Sequence, residues 1–137
     1  MNNLSDLEKS IGYKFKDKKY LKIALTHKSY LDEYPELHSN QRYEFFGDAI
    51  LDFDLTEYLF EKYPDLDEGS LTKIRSSAVN QFYLVKLGRK INIGQYLYLS
   101  KAEESTGGRE KDSILEDSLE ALIACLLYTS DAADDRG

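Results

Sequence analysis

The 137-residue sequence is short of the side chains that carry many common chemistries. It has one cysteine, Cys125, so no internal disulfide can form and no cysteine-rich zinc site can be assembled. Cys125 lies in an apolar helical run, where a buried and inert thiol is expected. The two histidines, His27 and His38, are not spaced as a motif, and each is expected to serve packing or surface polarity. No apolar run is long enough to span a bilayer. The strongest, ALIACLLY at 121–128, is far shorter than the roughly 20 residues needed. There is no charged-then-apolar leader pattern, no repeat and no low-complexity tract. These absences favour a single globular domain in the cytoplasm, with no membrane partner.

Positive charge is also scarce. A net charge of −7 argues against a simple nucleic-acid binder. The balance is uneven, however, because residues 1–30 hold seven lysines against Asp6, Glu8 and Asp17. A solvated helix face accounts for those lysines. The acidic excess elsewhere means either ordinary solubility or carboxylates gathered for metal ions.

What is present is a succession of helical signals without a convincing strand, so the expected class is all-α. Ser5 and Glu8 form a capping-box pattern, and Gly12 stands where a helix C-terminus favours glycine. Asp17 can cap a second helix bearing Tyr20, Leu21, Ala24 and Leu25. Ser39 or Asn40 opens a long helix through Phe45, Leu51, Leu55, Tyr58 and Leu59, which Pro64 stops. Another helix is predicted from about Ser70 through Phe82 to Gly88, and a short one within IGQYLYL at 93–99. The segment 100–112 reads as a polar loop with Gly107, Gly108, Arg109 and Lys111, long enough to lean functional, with a plain flexible surface loop as the alternative. A last helix runs from about Ser113 to Tyr128.

The long central helix breaks two local rules in the stretch NQRYEFFGDAIL at 40–51. Glu44 and Asp48 are like charges at i and i+4, which repel by a few tenths of a kcal/mol on a surface helix. Gly47 between them costs about 1 kcal/mol relative to alanine. Gln41, Glu44, Asp48 and Asp52 share one ridge within about 80° of arc. The last helix carries its own acids, Asp117 and Glu120, on a face shared with Ser113, Ala121 and Ala124. Small residues on both helices would allow a close crossing that brings four carboxylates together. Two such charges about 5 Å apart repel by roughly 3 kcal/mol at an effective dielectric near 20. Four cannot stay ionised together without a cation. Magnesium accepts oxygen ligands, and a pair of such ions about 4 Å apart can hydrolyse a phosphodiester. The plainer alternative is an acidic, solvated face of an amphipathic helix.

The stretch NQRYEFFGDAIL resembles the signature of the ribonuclease III catalytic domain, written N-E-R-L-E-F-L-G-D-A-V-L. Three further stretches agree in order: ALTHKSY (24–30), DEGSLTKIRS (67–76) and GGREKDSILEDSLEALIA (107–124). The resemblance covers about residues 5–124. It implies an endonuclease that cleaves double-stranded RNA as a homodimer in RNA processing, using magnesium, with manganese as a substitute. Position by position, Glu44, Asp48, Asp117 and Glu120 match the family's metal-binding and catalytic acids. Glu68 matches an accessory carboxylate, although an acid near a helix N-terminus also suits the dipole. Phe45 matches an aromatic that inserts into the partner subunit, with core burial as its alternative. Lys73, Arg75, Arg109 and Lys111 are the candidate RNA contacts beside the N-terminal lysines.

The sequence departs from the pattern in places. Gln41 stands where the signature most often has glutamate, which weakens any accessory ligand role there. Asp54 falls in a run that is usually apolar, about 120° off the acidic ridge. From Thr129 the chain matches nothing in the family pattern. Residues 1–128 are therefore expected to form the catalytic domain, incomplete at its C-terminal end, and 129–137 a disordered tail. On that reading, apolar surface of the last helix would lie uncovered. Two rival readings remain: a non-catalytic RNA-binding or scaffold relative, and a plain helical interaction module. Relatives without catalysis lose core acids, and all four are present here.

Overall fold

A computed structural model describes residues 3–78 and 80–129. Seven α-helices follow one another among them: α1 (Leu4–Ile11), α2 (Lys18–Ala24), α3 (Gln41–Lys62), α4 (Glu68–Ala78), α5 (Gln81–Lys90), α6 (Lys101–Ser105) and α7 (Asp112–Thr129). Short 3-10 turns at Lys28–Asp32, Ile93–Tyr96 and Gly108–Glu110 connect them. The all-α expectation holds, and the described residues contain a single isolated parallel bridge, Thr26 to Tyr98.

The helix ends follow local chemistry. Asp17 accepts the Lys19 N–H and caps α2 as expected. Gly12 closes α1 with φ +73°, a conformation that costs glycine little. The Ser5–Glu8 capping box does not form. Asn3 caps α1 instead, and the Glu8 carboxylate turns inward to accept the Phe15 N–H at 2.7 Å and Lys18 at 3.0 Å. A buried carboxylate needs such partners. Burial pushes the Glu8 carboxyl up, but these donors outweigh it and hold it below the usual range.

α7 is the axis of the core. Its Ile114, Leu115, Leu119, Ala121, Leu122, Ala124 and Cys125 are all buried, against α3, α5 and α2. Each fully buried leucine or isoleucine stabilises by about 1.5–3 kcal/mol. Towards its C-terminal end this helix does leave apolar surface uncovered, because Tyr128 is exposed and Ile123, Leu126 and Leu127 are half-buried. Larger exposed apolar side chains sit on other helices, led by Phe45, Phe53 and Phe60 on α3 and Phe82 on α5. Thr129, expected to begin a tail, is the last residue of α7, where it accepts the Tyr13 hydroxyl. Residues 130–137 lie outside the described residues.

Two other expectations change. The single helix from Ser70 to Gly88 is two, because Asn80 caps a new start by accepting the Tyr83 N–H. Gly88 is then internal to α5, facing Ile93 and Leu115. The loop at 100–112 is ordered as α6 and a 3-10 turn. Ser100 caps α6 through the Glu103 N–H, and Arg109 donates to the carbonyls of Gly94 and Leu97 at 2.9 and 2.8 Å. A half-buried guanidinium fork supplies several donors at fixed geometry, which stiffens the segment.

α3 is anchored at its start by Asn40, which is buried. Its N–H donates to Thr26 O and its side-chain amide to Ala24 O. The closest helix contact is at Gly47, where a Cβ would lie 1.8 Å from the Glu120 carbonyl oxygen. Only glycine permits this crossing of α3 and α7. Gly47→Ala gains about 1 kcal/mol of helix propensity, yet overpacking a tight contact costs about 1–3 kcal/mol or more. Gly47→Ala is expected to lower the urea midpoint clearly, and a raised midpoint would remove the close crossing.

Candidate active site

The crossing at Gly47 determines which side chains meet. Glu44 and Asp48 flank the glycine on α3, while Asp117 and Glu120 stand on the facing turns of α7. Carboxylate oxygens of Glu44, Asp117 and Glu120 lie within 4.8 Å of one another. Asp48 joins through a hydrogen bond with Glu120. All four acids singled out in the sequence thus belong to one cluster, three by direct proximity and Asp48 through Glu120.

Electrostatics follow from this packing. Glu120 is 4% exposed. Burial, the Asp48 hydrogen bond and the charges of Asp48, Glu44 and Glu116 push its carboxyl up to about 8. It therefore holds a proton that it can donate to Asp48. Burial and then the neighbouring acids Asp117, Asp48 and Glu116 also raise Glu44. Asp117 is raised by burial, with His27 and Lys28 partly offsetting the rise. A set of oxygen donors held in this condition suits a hard divalent cation.

Two further residues stand near the cluster with little signal in the sequence. Glu116 shares the field of Asp117 and Asp48, and burial and then these charges raise its carboxyl. Adjacency to Asp117 was the only signal for it. His27 is half-buried, and its Nδ1 accepts the Ser29 N–H at 3.1 Å. Burial holds its imidazole below the usual range, against the charges of Glu103 and Asp117. Cys125 is buried as expected, with its thiol pushed up to about 12 by burial.

The remaining candidates are scattered. Glu68, at the first position of α4, and Gln41, at the first position of α3, are exposed and outside the group of acids. Asp52, on the acidic ridge, pairs with Arg75, which also donates to Thr56 and so ties α4 to α3. Asp54 is exposed. Among the expected RNA contacts, Lys73 is exposed. Lys111 pairs with Glu103. Arg109 is corrected: its guanidinium is committed to two backbone carbonyls and to Glu104. Phe45 is 78% exposed, so core burial is excluded for it.

These features define an all-helical domain whose two longest helices cross at a glycine and gather carboxylates beside it. A family model described as Ribonuclease-III-like matches residues 17–134. Ribonuclease 3 of Sulfurovum sp. (strain NBC37-1) is 51% identical over 126 residues, covering 92% of this chain and 55% of that protein. Ribonuclease 3 of Campylobacter jejuni (strain RM1221) is 47% identical over 126 residues, covering 92% of this chain and 54% of that protein. The chain thus spans about half the length of the curated relatives it matches. A 2.2 Å crystal structure of the nuclease domain of ribonuclease III from Campylobacter jejuni superimposes with a TM-score of 0.86 at 44% identity, covering 95% of this chain and 86% of that one. Another, concerned with structural flexibility in a region involved in dimer formation of that nuclease domain, gives 0.87 at 44% identity, covering 93% and 87%. The chain belongs to the ribonuclease III family.

The raised Glu120 carboxyl has a consequence for stability. Between its unfolded value near 4.5 and its folded value of about 8, the native state holds a proton that the unfolded chain has released. Stability from this group is therefore lost as pH rises through that window. In metal-free buffer the parent chain should lose more stability than Glu120→Gln between about pH 5.5 and 8. Equal slopes in urea melts of the two proteins would show that Glu120 is not held protonated.

Proposed function

We propose that this chain is the nuclease domain of a magnesium-dependent endoribonuclease that hydrolyses double-stranded RNA as a homodimer, in cytoplasmic RNA processing. The domain assignment covers residues 1–128. The observation that carries the reading is the meeting of Glu44, Asp117 and Glu120 within 4.8 Å, with Asp48 bonded to Glu120, at the α3–α7 crossing. The same four acids match the family signature. Their all-oxygen donor set and their raised carboxyl groups fit magnesium, with manganese as a substitute. Magnesium, when bound, supplies the charge that lets the acids ionise together and the Lewis acidity that phosphodiester hydrolysis needs.

The chain's own residues do the positioning. Glu44 and Asp48 project from one rigid turn, and Gly47 keeps that turn against the Glu120 backbone. Lys28 adds positive potential beside Asp117. The wide minor groove of an RNA duplex offers 2′-hydroxyls and phosphates rather than a base code, so shape is what this surface would read. Lys73 is the exposed phosphate contact in this reading; Lys111 is paired with Glu103, and Arg75 and Arg109 act first through α3 and the 94–97 backbone. Gln41 and Glu68 are assigned accessory roles only.

Glu120→Gln keeps size and hydrogen bonding but removes a ligand charge. Magnesium-dependent cutting of a long RNA duplex should fall by orders of magnitude while helical circular dichroism persists. Asp117→Asn and Asp48→Asn should behave alike, because members of one catalytic unit do not contribute additively. A Glu120→Gln protein that cuts at the parent rate would sink the metal-site reading.

The dimer is supported by Phe45, 78% exposed in the turn that carries Glu44 and Asp48. A buried aromatic anchor at an interface is worth at least about 2 kcal/mol. Phe45→Ala should shift sedimentation from dimer toward monomer without loss of helicity. A parent chain that sediments as a monomer at high concentration removes the basis for this assignment.

A further inference from the structure

A cavity of about 620 Å³ opens beside α2, and none of the clustered acids lines it. That volume lies within the range of small-molecule sites, about 300–1,000 Å³. One wall is aromatic and apolar: Tyr30, Tyr98, Ile23 and Leu37. The Tyr30 and Tyr98 ring centroids are 5.5 Å apart with the rings tilted by 44°, and Tyr34 extends this aromatic cluster at 4.7 Å from Tyr30. Burial raises both the Tyr30 and Tyr98 phenols, which keeps this wall uncharged.

The rim has a different character. Lys18, Lys19 and Lys22 border the cavity. Glu8 neutralises Lys18 at 3.0 Å. No carboxylate among the described residues forms an ion pair with Lys19 or Lys22, both exposed. Two ammonium groups not engaged in ion pairs therefore stand at the edge of a pocket walled by tyrosine rings. Glu36 and Asp17 border it too, although Asp17 already accepts the Lys19 N–H. This is where the lysine-rich N-terminal segment is concentrated.

We propose that this cavity binds a nucleoside 5′-phosphate. The base lies against Tyr30 and Tyr98, the phosphate meets Lys19 and Lys22, and Glu36 accepts from N–H or O–H groups of the base or ribose. Flat rings stack on aromatic side chains with little regard for base identity, worth about 1–3 kcal/mol per base. An ammonium binds phosphate as a point charge. The same chemistry is offered by a free nucleotide and by the 5′-phosphorylated end of an RNA strand. The inference goes beyond the nuclease reading and stands independently of it, since the cavity shares no residue with the acid cluster.

The test is an NMR titration of the full chain with GMP and AMP in metal-free buffer, where the acids cannot recruit phosphate through a cation. Saturable shifts are expected at Thr26, Tyr30 and Tyr98. The double variant K19E/K22E should bind at least about tenfold more weakly, a loss of about 1.4 kcal/mol. Both changes are at exposed helix positions, and circular dichroism checks that the helices persist. Asp117→Asn should bind like the parent, which separates this pocket from the acid cluster. A 5′-phosphorylated short single strand that binds more tightly than GMP identifies the strand end as the ligand; one that binds more weakly identifies the free nucleotide. The proposal is overturned by three results: no saturable shift at millimolar nucleotide, undiminished binding by K19E/K22E, or equal shifts from inorganic phosphate alone.

Discussion

The contact between Gly47 and the Glu120 backbone governs the arrangement of this molecule. A Cβ at position 47 would lie 1.8 Å from the Glu120 carbonyl oxygen, so the helices touch main chain to main chain. Such proximity orients both helices at once. Residues one turn away on α3 must face residues on the adjacent turns of α7, and those residues are acids. The glycine that weakens α3 as an isolated helix is thus the condition for a cluster that neither helix could build alone. Local disadvantage and global geometry are opposite sides of the same residue.

The cluster is held together against its own repulsion. Roughly 3 kcal/mol separates each close pair of ionised acids from comfort at an effective dielectric near 20. The structure limits that opposition by protonation, with Glu120 pushed up to about 8 and bonded to Asp48. The rest is offset on the far side of α7, where Ile114, Leu115, Leu119 and Leu122 are buried. Each contributes about 1.5–3 kcal/mol. α7 therefore has two jobs along one length: an apolar face that anchors it and an acidic face that the anchorage keeps in place. Strain of this kind is expected where function breaks local rules.

Much of this could be read from the sequence, for physical reasons. The i, i+4 pair of acids on α3, the i, i+3 pair on α7 and the small residues beside them all rest on helical periodicity, which is a local property. Caps at Asp17 and Gly12 are local too. What escaped was tertiary. Glu8 fits a capping box in sequence, but its carboxylate serves Phe15 and Lys18 across a turn. The segment 100–112 has a loop's composition, and it is ordered by Arg109 reaching carbonyls 12 and 15 residues away. Asn80 falls inside the span that periodicity reads as one helix, and its cap divides that helix in two. Glu116 gave no periodic signal beyond its neighbour Asp117.

The length of α3 brings assembly and site together. It has 22 residues, yet its fully buried members are Gly47 and Leu59 alone. Helices in proteins owe most of their stability to a packed face, and α3 instead exposes Phe45, Phe53 and Phe60 at 78%, 65% and 72%. Aromatics presented to solvent on a helix fixed mainly at Asn40, Gly47 and Leu59 are surface in search of cover. Phe45 adjoins Glu44, and three residues further along stands Asp48. Under the proposed dimer, a partner covering Phe45 would clamp the very turn that carries both acids. Separate subunits would then leave that turn to fluctuate against α7, so the affinity of the cluster for a cation and the affinity of the subunits for each other become linked quantities.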